Sequence, residues 1–114
     1  MSSFVIFAER YEAMCLFYAM LFDVELVITN TPVHITDGSN HVYIHQIPSH
    51  YLSDIEKQPT IQAEASIKPI FDVDSSRIDS IEEDRILKTF VYENRTHIDI
   101  SDPDGNVICL RTQV

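Results

Sequence analysis

The chain opens on an alternating stretch, Ser3–Ala8, in which Phe4 and Ile6 face one layer and Ser3, Val5 and Phe7 the other. That two-residue period predicts a strand. Over Glu9–Phe22 the period changes. Met14, Phe17, Tyr18 and Leu21 mark the buried stripe of a helix, and acidic residues in its first turn suit the helix dipole. Cys15, Leu16, Ala19 and Met20 make this helix apolar nearly all round, so part of it is expected to pack against a second subunit. Val24–Thr29 and Val33–Thr36 read as short strands punctuated by Asn30–Pro32. His41–Ile47 reads as a further strand, ended by Pro48.

Ser49–Ser66 breaks the periodicity; it is polar, holds Pro59, and offers one helical turn at Leu52–Lys57. The order then repeats. Ile67–Val73 predicts a strand, and Asp74–Leu87 a helix with an apolar stripe of Ile78, Ile81 and Ile86, capped by Ser75 or Ser76. Thr89–Glu93 and Thr96–Ser101 are expected strands turned by Asn94-Arg95, and Val107–Gln113 is the last. The chain has two glycines, each in a hairpin turn before the final strand of a half: Asp37–Gly38–Ser39–Asn40, and Ser101–Asp102–Pro103–Asp104–Gly105–Asn106. Each half is therefore β-α-β-β-β. Sliding one on the other by about 65 residues places Ser3 over Lys68 and Ala8 over Val73, a repeat of pattern without sequence identity. The expected organisation is one domain of 1–114: module one 1–48, connector 49–66, module two 67–114.

Composition narrows the function. At 114 residues and 45% hydrophobic content the chain supports one core. A net charge of −10 argues against nucleic acid and for a neutral or cationic small ligand. The Met1–Arg10 start does not resemble a signal peptide, and the longest apolar stretch, Ala13–Phe22, is well short of a membrane span. Cys15 and Cys109 fit no disulfide framework, which points to a reducing cytoplasm.

A strand, a helix carrying Phe17-Tyr18, and a distal Asp-Pro-Asp-Gly-Asn (Asp102–Asn106) followed by Val-Ile-Cys-Leu together resemble the vicinal oxygen chelate superfamily. That group includes glyoxalases, extradiol dioxygenases, and fosfomycin- and bleomycin-resistance proteins. The resemblance implies an α+β fold of two tandem βαβββ modules whose curved sheets form a ligand cup, often at a dimer interface. It also implies four metal-holding positions, which fall here on Ser3, His45, Lys68 and Cys109. A divalent metal wants three or four N, O or S donors, and a lysine cation among them repels it, so the usual metal site is expected to be lost.

His41 and His45 lie four apart, which on a strand is roughly 13 Å, too far to share one ion. His45 facing the cup would serve as a hydrogen-bonding group or general base, or else be an ordinary strand histidine. Cys109 is a core residue or a cup-facing thiol whose thiolate Lys68 would favour. An inward Lys68 needs Asp99 or a ligand anion. Alternation puts His97, Asp99 and Ser101 on one face, while Tyr92 or Phe90 would stack a planar ligand. The acidic run Glu82–Asp84 with Arg85 is a solvated face. The expected ligand-binding cup is Tyr43, His45, Lys68, Asp72, Tyr92, His97, Asp99, Cys109 and Arg111. The expected function is metal-independent small-molecule binding, with no cofactor, in a homodimer. The alternative is a lyase, isomerase or dioxygenase using a metal held by a rearranged set such as His45, His97, Asp99 and Cys109.

Overall fold

The computed structural model describes residues 2–27, 32–47 and 68–112, so the expected connector at 49–66 and its helical turn lie outside the described residues. Strand β1 (Ser2–Ala8) leads into helix α1 (Tyr11–Phe22), then β2 (Val33–Thr36) and β3 (Asn40–Gln46). These strands form a sheet in the order β1-β3-β2, with β1 parallel to β3 and β2 antiparallel to it. The second half repeats the theme with β4 (Ile70–Val73), helix α2 (Ser75–Asp79), β5 (Ile86–Tyr92), β6 (Arg95–Ser101) and β7 (Val107–Thr112). Its sheet runs β4-β7-β6-β5, again with first and last strands parallel. The architecture is α+β, and the two halves share one plan.

Local chemistry explains the element ends. Helix α1 starts at Tyr11, two residues later than its apolar pattern, because the Glu9 and Arg10 amides donate to the Asp104 carboxylate at 2.8 and 3.0 Å. A carboxylate at the positive end of the helix comes from the distal hairpin, 94 residues on from Arg10. At the other end Asp23 turns left-handed (φ 54°), and the amides of Asp23 and Val24 donate to the carbonyls of Met20 and Ala19. This is a Schellman-type stop with aspartate where glycine is usual.

Four expectations are corrected. Residues 24–27 form no strand, and 28–29 lie outside the described residues. Val24 and Leu26 are half-buried while Glu25 and Val27 are exposed, so the alternation there records burial without ladder pairing. The helix expected over Asp74–Leu87 ends at Asp79; a 3-10 turn follows at Glu83–Arg85, and Ile86 opens β5 opposite Ile100. Ile86 finds a cross-strand partner there that a helix would deny it. The residue at the α2 N-cap is Asp74, without a side-chain bond, so neither Ser75 nor Ser76 caps it. The turn between β5 and β6 is Glu93-Asn94, both left-handed (φ 52° and 65°), and Arg95 joins β6 opposite Tyr92.

The core joins the two halves. Met14, Tyr18 and Leu21 of α1 are fully buried, with Val42 and Ile44 of β3 and Ile108 and Leu110 of β7. Phe71 of β4 packs at 5.6 Å from Phe4 and 5.4 Å from Phe22, centroid to centroid. The Tyr18 hydroxyl donates to Asp102 at 2.8 Å, and the Asn40 side-chain amide donates to the Asp72 carbonyl at 2.9 Å. On the sheet faces away from this core, Val5 and Phe7 of the first sheet and Tyr92 of the second are exposed. No helix among the described residues is long and apolar enough to cross a membrane.

Candidate ligand pocket

Register builds the pocket on the open face of the second sheet. One cross-strand row runs Asp72, Arg111, His97, Phe90; the next runs Ile70, Cys109, Asp99, Lys88. Successive side chains alternate faces, so these rows stand on the side opposite Phe71, Ile98 and Leu110. Between them opens a cavity of about 390 Å³, within the range of small-molecule sites. Phe90, Tyr92 and Ile70 supply apolar walls, and Lys68, Glu93, Arg95, His97, Asp99, Cys109 and Arg111 complete the lining.

The charged groups are largely spoken for. Lys68 Nζ lies 2.6 Å from Asp99 Oδ2. Arg111 reaches both oxygens of Asp72, at 2.6 and 3.0 Å, and Arg95 Nη2 adds a third contact at 2.7 Å. The Arg111 hydrogen bonds, together with both guanidinium charges, hold the Asp72 carboxyl below its ordinary range despite partial burial. Burial pushes the Cys109 thiol up to about 11, the Asp99 charge adds to it, and Lys68 and Arg111 do not compensate. The thiolate that Lys68 alone would favour therefore does not form near neutrality. His97 stacks on Phe90 at 4.9 Å, and its Nδ1 lies 3.8 Å from Cys109 Sγ. Two buried atoms of the pocket, His97 Nε2 and Asp99 Oδ1, have no hydrogen-bond partner among the described residues.

Of the residues expected to share one cup, Lys68, Tyr92, His97, Asp99, Cys109 and Arg111 come together around this cavity. Asp72 stands behind it, fixing Arg95 and Arg111. Tyr43 and His45 stand on the open face of the first sheet, where Tyr43 stacks on His34 at 4.3 Å and His45 on Phe7 at 5.1 Å. Sequence reasoning passed over Ile70, Glu93 and Arg95. Counting back by twos from His97 reaches Arg95, and from Asp72 reaches Ile70, so alternation held the signal for both. Glu93 carries none, because only the one-residue shift of the turn brings it to the rim.

The positions where the resemblance puts a metal do not suit one. Val5 pairs with Tyr43 just as Ile70 pairs with Cys109, so the counterpart of Cys109 is Tyr43, and the assignment to His45 is corrected by one pair. The set becomes Ser3, Tyr43, Lys68 and Cys109: a hydroxyl, a phenol, an ammonium and a thiol held protonated. Such donors do not fit a divalent ion.

No protein-family model matches the chain, and no curated protein sequence matches it. Solved structures do. A bleomycin-binding protein in complex with bleomycin superposes with a TM-score of 0.61 at 14% identity, covering 100% of this chain and 97% of that one. A glyoxalase/bleomycin resistance protein from Catenulispora acidiphila gives 0.56 at 17% identity, over 99% and 96% of the two chains. The fold is that of the glyoxalase/bleomycin-resistance proteins. A fosfomycin resistance protein from Mesorhizobium loti shares it, with a TM-score of 0.60 at 17% identity over 99% of this chain and 89% of that one. Within this glyoxalase/bleomycin-resistance fold, the pocket occupies the open face of the second module.

Proposed function

We propose that the chain is a small-molecule binding protein that holds its ligand in the second-module pocket without a metal or other cofactor. The observation that carries this reading is the cavity itself: about 390 Å³, with aromatic walls and a floor of polar groups set by sheet register. The bleomycin-bound neighbour supports small-molecule capture as a use of the fold. The pocket revises the expected charge of the ligand. Lys68, Arg95 and Arg111 face Asp99 and Glu93, with Asp72 behind, so the chain's −10 is not concentrated there. A neutral ligand fits this balance better than a cationic one. Leu16 and Met20 on α1 are 61% and 47% exposed, which supports a homodimer; buried free Cys15 and Cys109 suit a reducing cytoplasm.

The test is a titration of the isotope-labelled chain with indole in the presence of EDTA, followed by NMR. Saturable shifts at Ile70, Phe90, Tyr92 and Cys109 are expected. Absence of saturable shifts overturns the reading. A stoichiometric divalent metal in untagged protein, with binding abolished by EDTA, would instead favour the lyase, isomerase or dioxygenase reading. The observation on that side is that His97, Asp99 and Cys109 share one pocket.

A further inference from the structure

The pocket has a polar floor that is incomplete. His97 and Asp99 are only 6% and 5% exposed, yet His97 Nε2 and Asp99 Oδ1 meet no hydrogen-bond partner among the described residues. A buried polar atom left unpaired is destabilising, so two on one floor point to a ligand that completes them.

The kind of group is set by what the other atoms already do. Asp99 Oδ2 accepts from Lys68, and Oδ1 of the same carboxylate can only accept. His97 Nδ1 faces the Cys109 sulfur, and that thiol has other acceptors in the Asp99 carboxylate and in the Leu110 carbonyl at 3.8 Å. With the thiol proton directed to either of these, the sulfur accepts from Nδ1–H, and in that tautomer Nε2 presents a lone pair. The floor then offers two acceptors, two residues apart on one face of β6, about 7 Å apart at the backbone. An amino group carries two N–H donors, one for each acceptor; a hydroxyl carries one. Phe90 and the Tyr92 ring, 61% exposed, stand beside the floor as surfaces for a flat ring. Charges around the cavity balance, which favours a neutral molecule.

Resting on the reading of this cavity as the ligand site, we propose that it takes a neutral, planar, amino-substituted heteroaromatic molecule. The amino group donates to Asp99 Oδ1 and His97 Nε2, and the ring lies against Phe90 and Tyr92.

Matched probes test this on the unmodified chain: adenine against 6-methylpurine, and 2-aminopyrimidine against 2-methylpyrimidine, by NMR titration. The methyl group keeps the shape of the amino group and removes its donors. The amino member of each pair is expected to bind about 10-fold or more tightly, with shifts centred on His97 and Asp99. In Asp99→Asn, which replaces one acceptor oxygen with an amide of the same shape, the preference should shrink toward unity. Equal binding within both pairs overturns the inference, and if indole still binds, the pocket reading stands without it. If neither the pairs nor indole bind, both fall.

Discussion

Cys109 illustrates how far a residue's chemistry depends on its neighbours. The Asp102–Asn106 turn fixes its position from sequence, and an adjacent lysine suggests an activated thiol. The structure reverses that sign, because burial and the Asp99 charge together outweigh Lys68. With the thiol near 11, the thiolate fraction at pH 8 is about 1 in 1,000, against about a quarter for an ordinary cysteine. Iodoacetamide should therefore modify Cys109 about 200-fold more slowly than a free thiol at that pH, as peptide mass mapping over time would measure. Rapid labelling of native Cys109 would contradict this account. Asp37 and Asp102 make a second point at this scale. Each accepts backbone amides of its own turn and the side-chain amide of a following asparagine, Asn40 or Asn106. The two glycines mark these turns in the sequence. The shared role of the two aspartates is visible only in the hydrogen bonds.

Among elements, β4, β6 and β7 act as one through Asp72, which bridges Arg95 and Arg111. Its carboxyl is held below the ordinary range, so the folded state binds the proton less readily than the unfolded chain. The stabilisation is present above the unfolded carboxylate value, about 3.9, and is lost as pH falls through the depressed folded value. Thermal melts of the wild type and Asp72→Asn should differ most near pH 7, and the gap should narrow as pH falls below about 4. A gap that stays constant from pH 7 down to the most acidic pH at which the wild type remains folded would rule the bridge out as its source. The pattern of alternation located all three strands and placed Asp72 on the open face. It put Arg95 on the same face as His97 but left open where the turn ends and β6 begins, because a two-residue turn slides by one position with little change in composition. The second helix was over-read for a related reason. Ile78, Ile81 and Ile86 satisfy a helical stripe, but Ile86 gains more as the first residue of β5.

For the whole molecule, Phe71 is the seam. It is fully buried in the second module, and its ring meets Phe4 and Phe22 of the first. Phe71→Ala should cost about 3–5 kcal/mol in urea denaturation, with both modules still lost in a single transition. Separate transitions for probes in the two sheets would mean that the modules are independent, and that this core does not couple them. The Asp104 contact with the start of α1 ties the same halves together, closing the last hairpin onto the first helix.

The sequence by itself determined the repeat of a strand, a helix and a closing hairpin, the two glycine turns and the alternation that sends Lys68, His97, Asp99 and Cys109 to one face. Those features follow from local periodicity and turn chemistry, which a single chain displays openly. Tertiary structure alone decided which of these side chains meet. Pairing between β4, β7, β6 and β5 gathers six candidates around one cavity and leaves Tyr43 and His45 on the other sheet. It also decided that Tyr43 matches Cys109 and that Asp99 holds Lys68, because strand register and charge pairing depend on residues far apart along the chain.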